Sequence, residues 1–318
     1  MKTMLILFLT LMTTSAQAFC LWDCNRYKTK HPIVLVHGVS GFDSILGVDY
    51  FYDVAKELKS RGGQVYTVNV SAWNTPEHRG QDLIPQLEAL RARTGAQKFN
   101  LVGHSLGGPT SRYVAAVRPD LVASVTSVNG VHGGSAFANW GAQSFPPGTW
   151  GHTLLTSAIN GLGTVIDLLS GNAKAKQDAW NSVVSMTTAN AEVFNKRYPA
   201  GRPTSACGQG ASSVNGIRYY AWGGNRVMST TDYFDGSILN ASNVLLSVTA
   251  LAFGNEKNDG LVGQCNQHWG NTIRSDYALN HLEAINHFFG WHGFLSMFKV
   301  NPVDLYKNHA ERLKNVGL

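Results

Sequence analysis

Lys98-Phe99-Asn100-Leu101-Val102-Gly103-His104-Ser105-Leu106-Gly107-Gly108-Pro109 is the stretch whose reading decides the fold. An apolar run ends at Gly103, a serine stands two residues on, and Gly107 and Gly108 lead into a helical pattern. G-x-S-x-G between a strand and a helix is a nucleophile elbow. So tight a turn forces its serine into a strained backbone conformation that lifts the hydroxyl clear of the sheet. The flanking glycines are needed because a side chain there would collide with the neighbouring strand and helix. With 33 glycines in 318 residues the string alone could be an ordinary Gly-rich turn, so its context matters. Pro109 is tolerated only in a helix's first turn, Ser111 to Val117 then reads as helix, and Pro119 stops it. Ser105 is the candidate nucleophile.

Upstream, His31-Pro32-Ile33-Val34-Leu35-Val36 is a short apolar run ending at His37-Gly38, the pattern of a buried parallel strand. The Gly-containing loop from Val39 to Asp49 can turn its amides toward a ligand. Tyr50 to Arg61 reads as a helix closed by Gly62-Gly63, and Gln64 to Val70 as a strand. Leu83, Ile84, Leu87 and Leu90 share a helical face ended by Gly95, and Leu121 to Val128 is another strand. Alternation at this spacing predicts an α/β fold: a mostly parallel sheet covered by helices, with functional residues at the carboxyl ends of its strands.

Past Asn129 the pattern changes. Residues 130 to 149 read as loop. From Trp150, Leu154, Leu155, Ile159, Leu162, Val165, Ile166 and Leu169 fall on one helical face, which fits either a core helix or a movable lid. Ala179 to Tyr198 reads as helix and Tyr219 to Trp222 as strand, while 244 to 251 could be either.

Residues 1 to 18 have the form of a secretory signal peptide: Lys2, an apolar run from Met4 to Met12 too short to span a bilayer, and Ala16-Gln17-Ala18 as cleavage site. Export makes an even set of four cysteines read as two disulfides, with Cys20 and Cys24 in a small loop and Cys207 and Cys265 left as partners. The longer closure is worth about 4 kcal/mol on the chain-entropy view. Net charge is +6, but no Lys/Arg run stands out, which argues against a nucleic-acid partner. No G-x-G-x-x-G, Walker A or H-E-x-x-H sequence is present, and no segment of the mature chain reads as membrane-spanning.

A serine needs a base, and the base an acid that fixes its tautomer. Five histidines follow Asp259, at 268, 281, 287, 292 and 309, and spacing does not choose among them. The strings Tyr27 to Gly38, Gly41 to Tyr50, Gly107 to Asp120, Pro203 to Gly208, Asn258-Asp259-Gly260-Leu261-Val262-Gly263 and Asn280-His281-Leu282-Glu283 resemble the secreted bacterial true lipases that depend on a dedicated foldase. The similarity runs over about residues 27 to 318.

This resemblance implies an α/β-hydrolase fold with a lid at about 138–171, Asp259 as acid and His281 as base. It implies an oxyanion hole from the Val39 and Leu106 amides, and a Cys207–Cys265 bridge. It implies one structural calcium ion, held by the carboxylates of Asp235 and Glu283 and the carbonyls of His287 and Trp291. The family usually carries Asp at 283 and Gln at 287, and often a polar residue at 106. The implied substrate is long-chain triacylglycerol at an oil–water interface. The alternatives are a carboxylesterase for soluble esters and a secreted binding protein that kept the fold without the chemistry.

Overall fold

The structure is a computed structural model that describes residues 23–41, 44–45, 48–153, 156–157, 176–228, 241–287, 290 and 300–318. Strands are β1 (Ile33–Val36), β2 (Ser44–Ile45), β3 (Val48–Asp49), β4 (Val65–Val68), β5 (Phe99–His104), β6 (Val122–Val128), β7 (Ser213–Val214), β8 (Ile217–Gly224) and β9 (Asn271–Tyr277). Described helices are α1 (Val54–Lys59), α2 (Pro76–Thr94), α3 (Gly107–Val117), α4 (Ala136–Ser144), α5 (Ala179–Ser185), α6 (Thr188–Arg197), α7 (Ala241–Ala250) and α8 (Pro302–Asn315).

The main sheet has seven strands in the order β4-β1-β5-β6-β8-β7, with β9 also on β8. All its pairings are parallel except β7 with β8. The unbroken apolar runs of β1, β5 and β6 follow from burial on both faces. Ile33 and Leu35 point into a core with Val54 and Leu58 of α1 and Tyr306 and Leu313 of α8. Val34 and Val36 point the other way, against Leu83 and Leu87 of α2 and Val114 of α3. The alternation of one strand thus holds a helix layer on each side.

The strands and helices read between His31 and Val128 are present. α1 is shorter than its sequence reading, and the chain from 130 to 149 is not all loop: α4 starts after Ser135, whose hydroxyl accepts the Ala138 N–H at 3.3 Å. The helix expected over 179 to 198 is two, because Thr187 caps a new start by accepting from Asn190 N–H. Residues 241 to 250 are helical, followed by a 3-10 turn over Leu251–Phe253. The leader at 1–18, Cys20 and residues 154–155 and 158–171 of the implied lid lie outside the described residues. Cys207 and Cys265 are bonded, with Cα atoms 4.4 Å apart.

Candidate active site

β5 ends at His104, and the turn into α3 holds Ser105 at φ 54°, the left-handed region that an L side chain enters only under constraint. The constraint is close packing. Gly103 faces the Gly107 carbonyl and Gly107 the Val36 carbonyl with no room for a Cβ, and a Cβ on Gly38 would stand 2.7 Å from that of Ser105. The loop after β1 and the elbow after β5 therefore touch through glycine, and the parallel β1–β5 register puts both at one edge of the sheet.

A buried arginine fixes the first of these loops. The Arg79 guanidinium, fully enclosed, donates to the carbonyls of His37, Gly38 (3.2 Å), Ser71 and Ala72 (3.3 Å). His37 accepts the Val70 N–H on Nε2 at 3.2 Å, which leaves Nδ1–H to donate to the Gly38 carbonyl at 2.8 Å. Burial, and then the Arg79 charge, push the His37 pKa down to about 3, so that ring is neutral. The Gly38 carbonyl and the Val39 N–H belong to one trans peptide, so tying the carbonyl inward turns the amide outward. Neither the Val39 nor the Leu106 N–H donates to another described residue.

Asp259 and His281 meet. His281 Nδ1 lies 2.8 Å from Asp259 Oδ2, and the His281 N–H donates to the Asp259 carbonyl at 2.8 Å. The same carboxylate, wholly buried, accepts from Asn129 Nδ2 (2.7 Å), Gln267 Nε2 (3.3 Å) and the amides of Leu261 (2.9 Å) and Val262 (2.7 Å). With Nδ1–H given to the acid, Nε2 is the basic nitrogen. The Cys207–Cys265 bridge secures the 3-10 turn Gln264–Gln267, from which Gln267 reaches the acid. Asn129 and Gln267 gave no sequence signal; only their fold neighbours reveal them.

The elbow and His281 are linked through His104. Its Nε2–H donates to the His281 carbonyl at 2.9 Å, its Nδ1 accepts the Tyr50 hydroxyl at 2.8 Å, and the Tyr50 oxygen accepts the Gly38 N–H at 3.1 Å. The two imidazole rings stand 4.6 Å apart. Burial and the neighbouring His281 hold the His104 pKa well below its usual value. The Ser105 hydroxyl makes no hydrogen bond to His281 among the described residues. Such contacts commonly tighten only when substrate is bound.

The other histidines are occupied elsewhere. His309 meets Thr126 at 2.7 Å, and His268 meets Ser275 at 2.8 Å and Gly208 at 3.0 Å. The His287 ring packs 5.9 Å from that of Tyr50, and His292 lies outside the described residues. Of the implied calcium positions, Asp235 and Trp291 also lie outside them. Glu283 is buried and its Oε2 accepts the Asn280 N–H at 2.8 Å, while His287 donates its N–H to the Leu282 carbonyl. No group of three or more His, Cys, Asp or Glu side chains gathers for a metal ion among the described residues.

Ser105 and Val39 open on a cavity of about 630 Å³. Its walls are apolar and rich in aromatics: Trp73, Phe137, Trp140, Phe145, Trp180, Met186 and Leu246. Trp140 and Trp150 are 51% and 79% exposed, and Val248 and Leu251 are exposed as well.

The family described as the alpha/beta hydrolase fold matches residues 31–233. The chain is 46% identical to a triacylglycerol lipase of Vibrio cholerae, covering 100% of this chain and 99% of the relative. It is 40% identical to a triacylglycerol lipase of Pseudomonas fragi, over 92% and 99%. Among solved structures it is similar to Bacillus licheniformis lipase BlEst2 in mature form, with TM-score 0.55, 19% identity, and 86% and 94% of the two chains covered. Likeness at that identity supports the shared fold. With relatives this similar over their full length, the chain belongs to the bacterial lipase family of the α/β hydrolases and is a serine ester hydrolase.

Proposed function

We propose that the chain is a secreted triacylglycerol lipase that cleaves long-chain acylglycerols at a lipid–water interface through Ser105, His281 and Asp259. The observation that carries this reading is a strained serine opening on a large apolar cavity, beside a histidine bonded to a buried carboxylate. His281 Nε2 takes the Ser105 proton as Oγ attacks the ester carbonyl. The carbonyl oxygen, now negative, is received by the Val39 and Leu106 amides, each donor contributing about 3 to 4 kcal/mol to the transition state. The tetrahedral carbon collapses, His281 protonates the leaving glyceryl oxygen, and water attacks the acyl-enzyme by the same route.

The exposed Trp140, Trp150, Val248 and Leu251 support the interfacial part, since indole rings sit well where one end is apolar and the other wet. The Vibrio cholerae relative, a triacylglycerol lipase, supports the substrate class. Export through the signal peptide agrees with the bridged Cys207–Cys265 pair, and no helix among the described residues is long and apolar enough to cross a membrane. A dedicated foldase is part of the reading by family resemblance.

Calcium would be held by Glu283 and Asp235 with the carbonyls of His287 and Trp291. The buried Glu283 carboxylate, on the loop that carries His281, has the hard oxygen donors the ion requires. Its role there would be to neutralise two acids and fix the loop.

The test compares initial rates on emulsified triolein and dissolved tributyrin, with and without a calcium chelator, and labels a separate aliquot with a fluorophosphonate. A lipase accelerates above substrate solubility, is labelled at Ser105 and loses thermal stability with the chelator. Saturation below solubility would make it an esterase, and failure to label Ser105 would remove the nucleophile.

A further inference from the structure

A second cavity, of about 510 Å³, lies on another side of the molecule, between α3, the loop after α6 and the β7–β8 hairpin. Its walls include Ala115, Pro119, Val214 and Ile217, and one of its lining residues is Arg112. Arg112 is only 2% exposed. Its Nη1 donates to His132 Nδ1 at 3.0 Å and Asn195 Oδ1 at 2.9 Å, and its Nη2 to the Tyr198 carbonyl at 2.7 Å.

Those acceptors carry no negative charge. Burial and the adjacent guanidinium hold His132 well below its usual pKa, so it stays neutral. Trp269 stacks on the guanidinium with its ring centre 3.3 Å away, and Phe194 lies at 5.1 Å. Arg112 forms no ion pair with a described carboxylate. The other two arginines of the cavity differ: Arg197 pairs with Glu77 at 3.6 Å and Arg202 with Glu192 at 2.7 Å. A buried charge left unpaired is costly, and an anion would relieve it.

The shape of the unmet demand narrows the ligand. A guanidinium has five N–H bonds, three of which are used here. Nε–H is buried without an acceptor, and Nη2 retains a second free N–H. Nε has no accessible surface, so a carboxylate in the groove meets the free N–H of Nη2. Tyr219 also lines the cavity, and its hydroxyl bonds to no described residue. Along α3 and the hairpin, Ala115, Ala116, Pro119, Val214 and Ile217 supply apolar wall. We propose that this groove binds a fatty-acid carboxylate, head against Arg112 and Tyr219, chain along α3 and the β7–β8 hairpin. The site is separate from the Ser105 cavity and does not rest on the role of Ser105.

Calorimetry with decanoate tests it, on enzyme whose Ser105 cavity has first been filled by a long-chain phosphonate. The expected result is one decanoate bound per chain, with decanol at least about tenfold weaker for want of the charged pair. Ala116→Trp, on the exposed side of the groove, should abolish that binding by filling it. Tyr219→Phe, a change of one hydroxyl, should weaken it several-fold and serves if the bulkier variant does not fold. Absence of binding below the micellar concentration overturns the proposal. So does equal binding of decanol, or undiminished binding by both variants. A phosphonate that leaves Ser105 unlabelled counts against the nucleophile alone, because the groove variants still assign the measured heat.

Discussion

The two walls around Ser105 are built on opposite principles. On the sheet side His37, Arg79, Tyr50, His104 and Asp259 are buried, and each is held by named hydrogen bonds. On the other side Phe137, Trp140, Phe145 and Trp180 present ring faces to a cavity, with Phe137 stacked on Trp140 at 5.7 Å and Phe145 edge-on to it at 6.1 Å. Bond-making needs donors fixed to within fractions of an ångström, which only a satisfied polar network provides. Holding a flexible hydrocarbon needs area and tolerance, which ring contacts supply without direction. Substitutions in the first wall should therefore change rate, and those in the second the choice and form of substrate.

The largest break comes from Ser105→Ala, which should lower kcat on a soluble ester by about 10⁴- to 10⁶-fold with the melting temperature almost unchanged. Parent-like hydrolysis by the purified variant would end the assignment. Arg79→Met frees four carbonyls from their shared donor and lets the Val39 peptide turn. A loss of about 10²-fold in kcat with KM nearly constant is expected, together with a lower melting temperature. If KM rises and kcat holds, Arg79 shapes substrate binding instead.

The buried histidines, in that wall and beyond it, should also carry an acid weakness. His37 and His309 are pushed down to about 3, chiefly by burial, and His104 well below its usual value. Each is neutral when folded but takes a proton when unfolded below about pH 6.5. The unfolded chain then binds more protons, so stability is full above about 6.5 and is lost as pH falls toward 3. Each such histidine contributes a slope of up to about 1.4 kcal/mol per pH unit. Chemical unfolding at a series of pH values reads that slope, and His309→Gln should reduce it. The smallest effect is on the apolar wall. Trp140→Ala should weaken action on emulsified triolein a few-fold and leave dissolved tributyrin untouched.

What was legible in the sequence follows the range of the forces involved. The elbow, β1, α2 with its apolar face and Gly95 stop, and the two-sided burial of β5 and β6 are local patterns. α4 was hidden because Ala136–Ser144 mixes Gly, Asn and aromatics before Pro146-Pro147, and only its Ser135 cap marks it. β9 was hidden because its seven residues, Asn271–Tyr277, are mostly polar and carry no apolar run. Choosing His281 among five histidines needed resemblance, since its link to Asp259 is made by the fold. Arg79 and Asn129 were not legible at all: their partners are carbonyls and a carboxylate brought up from other loops.

Asn129 carries a further consequence. It is followed by Gly130, and in a loose chain that pair cyclises through attack of the glycine nitrogen on the side-chain amide, then opens to an acid. The fold shields it, with φ at 48°, the side chain buried, and its nitrogen committed to Asp259 at 2.7 Å. Every passage through the unfolded state lifts that protection. The aspartate so formed would return to set a second carboxylate against the first, so repeated heating should accumulate chains that refold yet no longer turn over, marked by deamidation at a single position.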